Sequence, residues 1–262
     1  MSISRLVRKQ RADRVLLNVK VMSMVVSGLV LVSLPGCLPQ VPRDPVEARR
    51  ELQKLGIKYD GSAFVTSAKD GNKRAVELFL NARMDPNVKE SSGATALMEA
   101  AHAGHCAIVS LLLARGADVS LTDNEGATAL HRAADGPLSY PCVEILLDYG
   151  ASPDAKTITG ETPLARAVFW PFSDPALEFL GPNYIKTVKA LLGRGADANA
   201  RYGPGFTPLM RAAIAGNPEI IRLLLDHGAD TNAKSNEGKS AQAYARQYHH
   251  EDIARMLDGS IN

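Results

Sequence analysis

The stretch Gly93–Ala134, GATALMEAAHAGHCAIVSLLLARGADVSLTDNEGATALHRAA, contains one phrase written twice. Thr95-Ala-Leu-Met-Glu-Ala-Ala and Thr128-Ala-Leu-His-Arg-Ala-Ala lie 33 residues apart. Between them come a second apolar run, Ile108–Leu113, and then Gly116-Ala-Asp. Each part has a local reason. The Thr95 hydroxyl suits a helix N-cap, after which Leu97, Ala100 and Ala101 share one helical face. Gly104 suits the left-handed backbone of a sharp turn between two short antiparallel helices. Ile108, Val109, Leu111, Leu112 and Leu113 make a stripe too wide for a helix with a solvated side, so the second helix should lie between neighbours. Gly116 ends that helix, and Ala117-Asp118 opens a hairpin-like turn into the next unit. A fixed period of this length is the mark of stacked repeats.

Followed in both directions, the phrase occurs six times. The helix-opening positions are Ser62, Thr95, Thr128, Thr162, Thr207 and Ser240, and the copies start near 59, 90, 123, 157, 202 and 235. The terminal glycine recurs as Gly116, Gly150, Gly195 and Gly228, each followed by Ala and then Asp or Ser. Thr162-Pro163 and Thr207-Pro208 put proline at the first helical position, where no needed donor is lost. Period and phrase resemble the ankyrin repeat, whose signature includes T-P-L-H-x-A, over residues 59–258. The resemblance implies an all-α solenoid of helix-turn-helix units joined by β-hairpin-like turns. It also implies a concave groove, formed by hairpin tips and first-helix faces, that holds protein partners.

The formal net charge is +2, but residues 1–37 carry six basic side chains and only Asp13 as an acid. The rest of the chain has 24 basic residues against 27 acidic ones. A body of that sign has no clustered basic face for nucleic acid. Aromatic residues make up 5% of the chain, which fits an Ala/Leu-rich helical stack with little room for large rings.

Residues 1–20 are basic and 21–34, VMSMVVSGLVLVSL, are uncharged and apolar, followed by Leu34-Pro35-Gly36-Cys37. This is the layout of a secretory signal. Leu-x-Gly-Cys is similar to the bacterial lipobox, which implies a signal peptide at 1–36 and a lipid-bearing (palmitate-type) Cys37. Pro35 stands where that motif normally has a small residue such as Ala or Ser. The competing reading is an uncleaved membrane anchor. Fourteen helical residues reach about 21 Å, short of the roughly 30 Å hydrocarbon core. Extension back to Val15 would bury Lys20 and Asn18, and a central lysine costs about 3 kcal/mol. The lipid anchor is therefore expected, with the repeats in the periplasm. Residues 37–58 then read as a tether, carrying Pro39, Pro42 and Pro45, with a short helix near Glu47–Leu55 at the end of the stack.

The first and last copies are more polar, as the caps of a solenoid must be. Copy one has Arg83 where later copies have glycine. Copy three has one extra residue within Asp135–Cys142, and copy four carries twelve extra residues within 170–185, between its two helices.

No constellation in the chain suits catalysis. Ser, His and Asp occur at repeat-determined positions, and nothing resembles a phosphate loop or a paired acid and base. His102, His105 and Cys106 lack a second Cys/His pair at zinc spacing, so no metal and no cofactor is expected. By the resemblance, Gly104-His105 is the family's turn and His131 its packing histidine. His249-His250-Glu251 reads as a solvated face of the end cap. Cys106 and Cys142 lie in adjacent repeats whose helices should stand 8–10 Å apart, so two free thiols are expected.

That leaves the surface. The early hairpin tips are small and polar, as at Ser91-Ser92, whereas the later part gathers Ile158, Phe169, Trp170, Tyr202 and Phe206 beside an insertion holding Phe172, Phe179 and Tyr184. Aromatic side chains dominate interface hot spots. Partner binding is therefore expected at Ile158, Phe169, Trp170, Tyr202 and Phe206, with His102 at a first-helix end. The expected protein is a non-enzymatic, monomeric scaffold with an unidentified protein partner and no small-molecule substrate. An immunity-type inhibitor and a periplasmic scaffold are two versions. A cytosolic or host-directed ankyrin effector is the rival.

Overall fold

Thr95, Thr162, Thr207 and Ser240 each stand in extended backbone ahead of a helix, and each side-chain oxygen accepts the N–H three residues on at 3.3 Å. Such a bond satisfies one of the orphan donors of the first turn. The structure, a computed structural model, describes residues 41–168 and 181–258. Its helices are α1 (Pro45–Lys54), then the pairs α2 (Gly61–Lys69) and α3 (Lys73–Asn81), α4 (Ala96–Ala103) and α5 (Cys106–Ala114), α6 (Ala129–Asp135) and α7 (Tyr140–Asp148). The later pairs are α8 (Pro163–Ala167) and α9 (Gly181–Gly193), α10 (Pro208–Ala215) and α11 (Pro218–Asp226), and α12 (Ala241–Gln247) and α13 (Glu251–Leu257). Among the described residues there is no strand, only isolated bridges at Lys89–Thr95 and Tyr202–Phe206. The protein is an all-α solenoid.

The first helices of successive pairs pack on one another, and so do the second helices from α3 to α11, giving two layers. Composition explains the division. The inner layer is alanine-rich: Ala100, Ala101, Ala133, Ala134, Ala212 and Ala213 are all fully buried, so short helices approach closely. The outer layer supplies the large side chains, among them Ile108, Val109, Leu112, Val143, Leu146, Leu191, Ile220 and Leu224. Gly104 turns α4 back into α5 with φ +77°, a conformation without steric cost for glycine. At the N-terminal end α1, capped by the Asp44 carboxylate, covers α3 with Ala48 and Leu52.

Four features differ from the sequence reading. The first inner helix is capped by Asp60, whose carboxylate accepts the Ala63 N–H at 2.8 Å, and Ser62 lies inside the helix. The Thr128 side chain makes no cap bond to the N–H groups of its own first turn; its hydroxyl and its N–H meet His131 Nδ1 instead, at 2.9 and 3.1 Å. In copy four the residues Gly181–Ile185 extend the outer helix by about a turn, and Tyr184, grouped above with the binding aromatics, is buried there. Finally, Cys106 and Cys142 are joined by a disulfide, with Cα atoms 4.9 Å apart. The expectation of free thiols fails because 8–10 Å is the separation of helix axes, and first-turn residues on facing sides come much closer than that. The extra residue of copy three lies in the loop that delivers α7 to this position.

Candidate protein-binding face

Each hairpin tip is closed within itself and tied to the tip before it. The N–H groups of Asp123, Thr157, Tyr202 and Ser235 donate to the carbonyls of Ala127, Glu161, Phe206 and Lys239 at 2.9–3.1 Å. Across repeats, Asn124 N–H donates to Ser92 O, Ile158 N–H to Glu125 O, Gly203 N–H to Thr159 O and Asn236 N–H to Pro204 O, each at 3.0 Å. A side chain added at the Gly93, Gly126 or Gly205 turn would run into the neighbouring tip. A Cβ on Gly126 would meet Ile158 N at 2.9 Å, and Gly126 has φ +76° besides. The tips therefore form a continuous, backbone-fastened edge on which exposed side chains are held in place.

Beside this edge lies a charged row that the sequence reading did not single out. Glu99, Arg132, Arg166, Arg211 and Tyr244 occupy the position four after the opening Thr or Ser of successive inner helices. Arg132 Nε donates to Asp123 at 2.9 Å and its Nη2 lies 3.6 Å from Glu125. Arg166 lies 3.1 Å from Glu161 and 3.8 Å from Glu125, and Arg211 lies 3.2 Å from Glu161. Arginines and carboxylates thus alternate across three repeats. Burial alone would push the Asp123 carboxyl up. The N–H groups of Ala127 and Glu125 and the Arg132 guanidinium outweigh that and hold it below the ordinary value. The signal for this row was present in the recurring phrase, at a position neither apolar nor at a helix end.

His131 is fully buried between repeats. Its Nδ1 accepts the Thr128 N–H, which leaves the proton on Nε2, 3.0 Å from the Glu161 carbonyl that receives it. Burial is the main reason its imidazole is held down to about 4; the proximity of Arg166 acts the same way, and the bond to Glu161 opposes both. The side chain is thus a neutral clamp between the third and fourth copies.

The residues expected to bind a partner fall into different settings. Ile158, at a hairpin tip, is 78% exposed. His102 is half-buried at the end of α4, with Nδ1 3.2 Å from the Arg132 carbonyl. Tyr202 is buried; its hydroxyl accepts from Arg211 at 3.4 Å, and burial pushes the phenol up to about 12 against the pull of Arg211. Phe206 is half-buried, with its ring 6.4 Å from Tyr202 and 5.2 Å from Tyr244. These two rings pack on each other and Phe206 reaches the last repeat, so among the described residues of the set Ile158 is the most exposed apolar group. Phe169, Trp170, Phe172, Phe179 and Cys37 lie outside the described residues.

Among the described residues no three His, Cys, Asp or Glu side chains converge on a possible metal position, and no helix is long and apolar enough to cross a membrane. The stacked helix pairs and backbone-tied tips define a class of linear repeat protein. The family model described as Ankyrin repeats (3 copies) matches residues 63–157 and 176–260, and the chain belongs to the ankyrin-repeat family. No curated protein matches it. Ankyrin repeats generally mediate protein–protein interaction, and the family is typically non-enzymatic.

Proposed function

We propose that this ankyrin array is exported, held in the cell envelope by lipid on Cys37, and captures another protein along its tip edge and inner-helix face. The observation that carries the binding reading is Ile158. An isoleucine 78% exposed gains nothing for the fold, yet its backbone is fastened to the preceding tip through the bond to Glu125 O. Rigid scaffolds presenting apolar anchors are where recognition energy concentrates. The alternating Arg–carboxylate row beside it offers a partner polar complementarity at little ordering cost, because its members already hold one another. His102, Phe169, Trp170 and Phe206 belong to the same proposed surface, with Tyr202 supporting Phe206 from beneath. Capture of an envelope-directed toxin and scaffolding of a periplasmic enzyme are the two uses this surface would serve.

The export half rests on the basic segment, the apolar run 21–34 and Leu34-Pro35-Gly36-Cys37. Mass spectrometry of the membrane fraction is expected to find a mature chain starting at a lipid-bearing Cys37, and Cys37→Ala is expected to leave unprocessed precursor. An intact Met1 terminus on the mature protein would overturn that half alone. For binding, a photo-crosslinking residue at position 158 should capture the partner in living cells. Ile158→Asp should weaken the purified complex by about 2 kcal/mol, roughly thirty-fold, while thermal unfolding stays unchanged. Undiminished binding by Ile158→Asp would remove the tip edge from the interface.

A further inference from the structure

At four interfaces between repeats, the carbonyl at the end of an inner helix receives a hydrogen bond from a side chain of the next repeat. His105 Nε2 serves Lys69 O at 3.0 Å, Tyr184 Oη serves Asp135 O at 3.1 Å and His250 Nε2 serves Ile214 O at 3.3 Å. Between the second and third repeats the donor is a serine: Ser139 Oγ donates to His102 O at 3.1 Å. A serine reaches far less than a histidine or tyrosine, so the chain itself must come in. It does: α6 ends at Gly136 with φ −82° and ψ 133°, unlike the left-handed ends of α4 and α10, and Ser139 is completely buried. The same approach brings the first turn of α7 onto the first turn of α5, where Cys142 meets Cys106.

The two sulfurs are not equivalent. Cys142 is fully buried, whereas Cys106, the first residue of α5, is half-buried and precedes the exposed Ala107. Both stand in the first turn of a helix, where negative charge is favoured, so access and not local charge separates them.

We propose that Cys106 is the site of thiol–disulfide exchange on this protein, and that the bond to Cys142 is a redox-set brace on the interface between the second and third repeats, where serine takes the place of a longer donor. The co-reactant is a disulfide, either a small one or that of an oxidoreductase. The Cys106 thiol loses its proton and its sulfur attacks one sulfur of that disulfide. An S–S bond forms to Cys106, and the other half leaves as a thiolate that takes up a proton. Cys142, deprotonated in turn, attacks Cys106 Sγ and expels the second half as a thiol. Two protein thiols are oxidised and one external disulfide is reduced. In a linear array each interface contributes separately, so reduction should loosen α5, α6 and α7 without melting the distant repeats. The proposal does not depend on export or on the identity of any partner.

The test uses the full chain, reduced and then exposed to oxidised glutathione, with modification at each cysteine read by peptide mass spectrometry. Cys142→Ala should take up glutathione on Cys106 about ten-fold or more faster than Cys106→Ala takes it up on Cys142. A quenched time course of the unsubstituted chain gives the same comparison should either variant fail to fold: the mixed disulfide should sit on Cys106. Oxidised protein should melt about 5–10 °C above reduced protein, with slower amide exchange confined to α5–α7. Equal or faster modification at Cys142 would overturn the assignment of Cys106. Identical exchange in α5–α7 for the two redox forms would overturn the brace.

Discussion

Replacing Leu112 by alanine is expected to cost about 2–5 kcal/mol of stability, measured by denaturant unfolding. Leu112 is fully inaccessible in α5, and that helix packs on its own partner α4, on α3 before it and on α7 after it. Three carbon atoms would be lost from the side chain, each carrying about 0.8 kcal/mol of transfer energy. A cavity would remain as well, because the surrounding helices are held apart by their own contacts: α4 packs on its neighbours through fully buried alanines, and α5 is bonded to α7 through Cys106–Cys142. A site that cannot collapse bears the full cavity cost. Glu125→Ala is the internal control. Glu125 is 68% exposed, and its carboxylate stands 3.6–3.8 Å from two arginines that have closer partners, so the change should stay below about 0.5 kcal/mol. Equal effects at the two positions would mean that the division into buried outer helices and solvated tips is wrong.

Acidification from pH 7.5 to 4.5 is expected to remove about 2–3 kcal/mol through His131 alone. In the folded chain this imidazole is held down to about 4 from an ordinary 6.5. Between those values the unfolded chain binds a proton that the folded chain refuses. The stabilising contribution is therefore complete above pH 6.5 and is lost as pH falls toward about 4. The refusal has a structural basis: protonation would place a second N–H on Nδ1, against the Thr128 N–H that Nδ1 now accepts, in a site closed to water. His131→Gln should lower stability at pH 7.5 and flatten the slope between 6.5 and 4. Asp123, held below its ordinary value, acts in a separate window beneath pH 3.8, with the same sign. An unchanged slope in His131→Gln would show that the buried histidine is not the acid-sensitive group.

The architecture was legible in the recurrence of Thr-x-Leu-x-x-Ala-Ala and Gly-Ala-Asp, because each piece of the phrase has a local cause. A hydroxyl caps a helix, small residues admit a neighbouring helix, a wide apolar stripe demands cover on both sides, and glycine ends the unit. Those causes act within one repeat or between adjacent ones, so the chain order alone suffices to state them. The packing position of His131 came from the resemblance to the ankyrin repeat and not from these local causes.

What lay beyond it depends on distances between residues that belong to different repeats. The bridge between Cys106 and Cys142 follows from a loop one residue longer than its neighbours and from a serine drawing that loop inward. Helix spacing read from an ideal pair gives no warning of it. How far each tip side chain is covered also depends on the neighbouring repeat: Tyr202 is buried and Phe206 half-buried against Arg211 and Tyr244, while Ile158 is 78% exposed. The arginine row was visible as letters at a fixed offset, yet its pairing with carboxylates from tips one repeat away required the stacked backbone. Short-range physics, written once per repeat, determined that this chain is an ankyrin solenoid. The side chains it leaves outside, and the sulfurs it brings together, were decided by how each repeat seats on the next.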